Sequence, residues 1–177
     1  QQQAANNAAI GANTFLAGGN KDTNIPAIAD TAQGSGFDNA SSGFADGNKA
    51  SATPSQPNNP SYMTGYNAGQ AAYQVEQNFE SGANNSPSDT TSSQQANSAY
   101  NQAISDFNTN HAASDTTANG NKVYQTVYKH AMDQLQTQYY NGINDFNAGK
   151  SSPDVTSINQ SPSSQAARAT GFNDANT

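Results

Sequence analysis

Two stretches of this chain place ring-bearing and small residues at the same intervals. Tyr100, Ala103, Phe107 and Asn110 in YNQAISDFNTN (100–110) match Tyr139, Gly142, Phe146 and Gly149 around YNGINDFNAG (140–149). Steps of three, four and three residues stay on one face of an α-helix, whereas a strand would scatter them over both faces. The template recurs at Ala8, Gly11, Phe15 and Gly18, at Phe37, Ala40, Phe44 and Gly47, and at Ala72, Val75, Phe79 and Gly82. Looser copies are Gln165, Arg168, Phe172 and Ala175, and two tyrosine versions centred on Tyr66 and Tyr128. The ring reads as a knob in a helix seam, and the small residue four before it as the place where a neighbouring helix approaches. The closing Gly or Asn reads as a helix stop.

The copies are themselves spaced. Phe15 to Phe79, Phe79 to Phe146, Phe44 to Phe107, Phe107 to Phe172 and Tyr66 to Tyr128 are all separated by about 64 residues. The expected architecture is therefore all-α: an elongated array of helical repeats of about 64 residues per unit, one longer and one shorter helix in each. Residues 1–177 read as a single helical-repeat region with approximate units 1–60, 61–120 and 121–177. The register of the long helix stays open, because either Tyr62 or Tyr66 can be aligned with Tyr128.

The pattern predicts helices at 2–17, 36–46, 61–81, 93–109, 121–148 and 164–176. Between them lie links rich in Ser, Pro and Asn at 49–60, 83–92, 111–120 and 150–163. Pro54, Pro57, Pro60, Pro87, Pro153 and Pro162 fall in these links, and Ser61, Ser93 and Ser163 stand where N-caps are expected. No stretch alternates over strand length.

Composition limits the core. Only 33% of residues are hydrophobic and 11% charged, and mean hydropathy is -0.85. So little apolar surface favours a thin layer repeated along a body over one thick core. The net charge of -7 is dispersed without a basic stripe, which argues against nucleic acid as a partner. Apolar runs are too short for membrane insertion. The absence of cysteine removes disulfides, thiolate metal sites and cysteine nucleophiles. No signal peptide begins at Gln1, so the sequence reads as an internal fragment.

A search for chemistry returns little. His130 with Asp133 has the spacing of two metal ligands on a helix but lacks further ones, and an exposed polar-face pair is the favoured reading. His111 follows a helix stop in a Ser/Thr-rich loop. Asp106 and Asp145 hold equivalent places before the motif Phe and read as surface or capping groups. Glu76 and Glu80, the only glutamates, read as a solvated like-charge pair one helical turn apart. No phosphate loop, nucleophile elbow or calcium loop is present. No catalytic, metal or cofactor-binding residues are assigned, and no cofactor or enzymatic activity is expected. Most tyrosines (Tyr62, Tyr66, Tyr100, Tyr124, Tyr128, Tyr139) fall on the seam. Tyr73 and Tyr140 fall off it and are the candidate ligand-binding residues, since an exposed ring among Asn and Gln suits sugar or protein surfaces.

The repeated Y/F-x-x-G/A-x-x-x-F-x-x-G helices, set in Asn/Ser/Thr/Gln-rich sequence, resemble repeat regions of wall-anchored surface and aggregation proteins of lactobacilli and related Gram-positive bacteria. That resemblance spans the chain. It implies an extracellular, wall-attached module acting in adhesion or cell aggregation, or its stalk. Its partners would be host or bacterial surface glycans or proteins, or a second copy of itself. A carbohydrate-binding module using exposed Tyr and Asn/Gln side chains is the alternative.

Overall fold

The computed structural model describes residues 1–21, 31–50, 53–82, 90–113, 120–158 and 161–177. These form six helices: α1 (Gln2–Leu16), α2 (Thr31–Gly47), α3 (Pro60–Glu80), α4 (Thr91–Asn110), α5 (Lys122–Asn147) and α6 (Pro162–Ala175). A short 3₁₀ turn, Val155–Ser157, precedes α6. No strand occurs among the described residues, and no described helix is long and apolar enough to cross a membrane. The fold is all-α, as the periodicity requires.

Helix starts are set by short polar side chains that take an otherwise orphaned backbone N–H. Asn59 caps α3 by accepting from Tyr62 N, Thr90 caps α4 by accepting from Ser93 N, and Asn121 caps α5 by accepting from Tyr124 N. Ser161 caps α6 by accepting from Ser164 N. The expected caps Ser61, Ser93 and Ser163 thus lie two or three residues inside their helices. Pro60 and Pro162 are helical first residues rather than link residues, because a proline there gives up an N–H that has no partner anyway. Ends are set by the motif glycines. Gly18, Gly82 and Gly149 turn left-handed just after α1, α3 and α5, with φ of 77°, 68° and 75°. His111 takes that role after α4 at φ 57°. Pro87 and most of the links 83–92 and 111–120 lie outside the described residues.

Neighbouring helices meet at backbone distance. A Cβ added to Gly43 of α2 would lie 2.9 Å from Tyr66 N of α3 and closer still to the carbonyl oxygen of Tyr62. In return, a Cβ on Gly65 would lie 2.8 Å from Ala40 Cα and closer to its oxygen. Four residues on, Gly47 meets Tyr66 and Gln70, and Gly69 meets Phe44 and Asn48. Residue numbers rise together across this interface, so α2 and α3 run parallel. The same reciprocal clasp joins α1 to α2, with Gly11 against Gln33 and Phe37, and Gly36 against Ala8. It joins α5 to α6, with Gly142 against Arg168 and Phe172, and Gly171 against Tyr139. Between α4 and α5 the matching positions are alanines, Ala103 and Ala131, both fully buried.

A side-chain bond accompanies the clasp. Three residues beyond Gly43, Asp46 accepts from the Tyr62 hydroxyl at 2.7 Å. Three beyond Ala103, Asp106 accepts from the Tyr128 hydroxyl at 2.6 Å. Three beyond Gly142, Asp145 accepts from Arg168 Nε at 2.7 Å. Two links are pinned to the same groups: Ser55 donates to Asp46, and the Asp154 amide donates to Asp145. Asp106 and Asp145 are therefore interhelical fasteners, not the surface or capping groups expected.

The core is one cluster of rings, alanines and a few aliphatic side chains, including Phe15, Phe44, Tyr100, Phe107, Val127 and Leu135. Close backbone approach makes a sparse apolar supply sufficient, since small residues let helix surfaces touch without long side chains between them.

Candidate functional site

The last turns of α3 and the middle of α5 bring together the groups with the most chemical potential. Glu76 and Glu80 stand one turn apart on α3, and His130 and Gln134 one turn apart on α5. His130 Nε2 lies 2.8 Å from Glu80 Oε1, and Gln134 Nε2 donates to the same oxygen at 2.6 Å. Gln77 Nε2 donates to the other Glu80 oxygen at 3.0 Å. Glu80 is thereby saturated.

Glu76 is not. It is 5% exposed, and its Oε1 is buried without a hydrogen-bond partner. Burial pushes its carboxyl up from an ordinary 4.5 to about 7; His130 works against that rise and Glu80 adds to it. Tyr100, fully buried on α4, faces both glutamates, and burial raises its phenol. Its ring stacks on Phe79 with centroids 3.9 Å apart. The expectation of a solvated glutamate pair is overturned. Glu76 follows Ala72 by four residues and precedes Phe79 by three, inside the very stripe that the motif sends into the core.

Beside this cluster opens a cleft of about 440 Å³, walled by Glu80, His130, Gln134 and Gln138 and by Ser161 and Ser164 at the start of α6. Its lining offers amides, hydroxyls, an imidazole and the two carboxylates of Glu80 and Asp133, with no Tyr or Phe ring among them. Ser161 Oγ is engaged as the α6 cap. His130 bonds to Glu80 and Gln134, and no hydroxyl lies within its hydrogen-bonding reach among the described residues. Asp133 turns to Lys129 rather than to His130. No group of three or more His, Cys, Asp or Glu side chains suited to a metal ion occurs among the described residues.

Tyr140 is 62% exposed on α5 and meets Tyr139 edge-on at 5.6 Å. Tyr139 in turn packs against Phe107 and His111 and donates to Asp174. Tyr140 is thus the outermost ring of an aromatic run that begins in the core. Tyr73 is half-buried on α3, and no ring contact or hydrogen bond joins it to Tyr140.

A second charged cluster ties α5 to α6. Asp145, 5% exposed, receives Arg168 Nε, Lys150 Nζ at 2.7 Å and the Asp154 amide at 2.9 Å. Arg168 and Lys150 hold its carboxyl far below the usual carboxylate range.

No family model, curated protein or solved structure matches this chain.

Proposed function

We propose that the chain is a non-catalytic, wall-attached module of a bacterial cell surface that mediates cell aggregation or adhesion as part of an extended, repetitive stalk. The observation that carries this reading is the fate of the carboxylates. Asp46, Asp106 and Asp145 occupy one position relative to three successive clasps, and each is spent on an interhelical bond. Repetition of a fastener along a chain is what a spacer requires, and a catalytic centre would need its acid only once. On this reading each sequence interval of about 64 residues holds two helices with their links. With few charges and a net acidic balance, partial neutralisation in mildly acid surroundings favours contact between copies.

Beads coated with the chain should clump as pH is taken from 7 towards 4, and disperse again on return. Beads that remain single throughout would remove the aggregation reading.

The exposure of Tyr140 favours one second reading, a carbohydrate-binding surface. A glycan array would give a sharp hit that Tyr140→Ala abolishes and Tyr73→Ala, on a half-buried ring elsewhere, leaves in place. A hit indifferent to Tyr140→Ala would clear that residue.

A further inference from the structure

Helices α1, α2 and α3 are joined by glycine clasps, and α5 is clasped to α6. The junction of α3 with α4 and α5 is built differently. Neither glycine within α3, Gly65 nor Gly69, meets the backbone of α4 or α5; side chains carry the contact, through Phe79 on Tyr100 and Glu80 with His130 and Gln134. The first and second halves also touch where Gly18 meets the carbonyl of Gly120. A side-chain seam flanked by rigid backbone clasps is where such a body can loosen as two parts.

We propose that Glu76, Glu80 and His130 form a proton-operated latch across this seam, closed when Glu76 carries a proton and loosened when it is ionised. The groups facing Glu76 are Glu80 on its own helix, the Tyr100 hydroxyl from α4 and the His130 ring from α5. Three nitrogens satisfy Glu80, and His130 is directed at it. Ionised Glu76 therefore places a second negative charge in the seam with no cation of its own and no hydrogen bond to Oε1. An unpaired buried charge is relieved by water, which reaches it only if α3 separates from α4 and α5. Protonated, the same side chain is tolerated in place. Its carboxyl, pushed up to about 7, puts the change in the neutral range.

The chain has no cysteine, so labels can be placed singly. Spin labels at Asn67→Cys on α3 and Asn101→Cys on α4, both exposed positions, report the seam by pulsed electron resonance. The distance distribution should be narrow at pH 5 and broad at pH 8.5. With Glu76→Gln added, it should be narrow at both. A wild-type distribution that ignores pH, or a Glu76→Gln chain that broadens like the wild type, overturns the latch. Carboxyl-labelled glutamate gives a test without substitution, since Glu76 and Glu80 are the only two signals. One should titrate with a midpoint near 7. Two midpoints in the ordinary range near 4.5 would refute the proposal even if Glu76→Gln failed to fold.

Discussion

Gly43 of α2 lies against the backbone of Tyr62 of α3 with no room for even one methyl group between them. Gly65, three residues after Tyr62, makes the reciprocal contact with Ala40. Interlocking of this kind fixes the two helices at one distance and one register, so its consequences can be tested residue by residue.

Phe107 is 2% exposed, and Ala103, four residues earlier, is fully buried at the α4 position that corresponds to a clasp glycine. Removing a buried phenylalanine ring costs about 3–5 kcal/mol. Phe107→Ala should therefore sharply lower both helical circular dichroism and Tm. Tyr73→Ala, at a half-buried ring, should lower them much less. Phe79 and Phe146 are only partly buried, so alanine at either should fall between these two.

The Asp145 fastener has a polarity that substitution can read. Arg168 Nε and Lys150 Nζ each bind one carboxylate oxygen, but the Arg168 side chain is 10% exposed and that of Lys150 is 41% exposed. Water replaces a lost partner more easily at the exposed site. Arg168→Ala should lower Tm more than Lys150→Ala. Negligible effects from both would mean that the α5–α6 pair rests on Gly142 and Gly171 rather than on the ion pairs.

Stability should pass through a maximum in mild acid. Glu76 has a folded-state value raised from 4.5 to about 7, so its contribution is fully present below 4.5 and is lost as pH rises through 7. That loss is on the order of 3 kcal/mol. Asp145 has a lowered value, so its contribution is present above its ordinary 3.8 and is lost as pH falls below it. Thermal melts from pH 3 to 9 should show Tm highest between these limits. In Glu76→Gln the fall on the alkaline side should disappear while the acid side is unchanged.

The six helices were legible because one template serves each of them. The template predicted 61–81 where α3 runs Pro60–Glu80, and 121–148 where α5 runs Lys122–Asn147. That α2 is already helical at Thr31 is hidden by Gly34, Ser35 and Gly36, which resemble a helix breaker. Gly36 is glycine because Ala8 leaves no space for a side chain, and Gly47, where α2 ends, is also a packing residue held against Tyr66 rather than a left-handed cap. Spacing alone cannot separate these two uses of glycine. Nor does it distinguish the two faces a middle helix needs: Phe37 lies beside the α1 clasp, whereas Phe107 follows the position of its own. The charge of Glu76 suggests a solvated position, but its place in the stripe carries it into the core. The convergence of Glu80 with His130 could not be read from spacing, since they are fifty residues apart and meet only through tertiary packing.

The clasp itself is tested most directly by giving two helical glycines the same methyl group. Among the described residues, a Cβ on Gly34 of α2 would meet only the Lys21 side chain, at 3.5 Å, whereas on Gly65 it would run into the backbone of Ala40. In an open helical site, Gly→Ala stabilises by roughly 0.5–1 kcal/mol. In a filled one, overpacking costs about 1–3 kcal/mol, and backbone cannot yield as a flexible side chain does. Thermal melts of Gly34→Ala and Gly65→Ala at one pH should therefore move Tm in opposite directions, up for the first and down for the second. A rise in Tm for both would contradict the backbone clasp and, with it, the parallel packing of these helices.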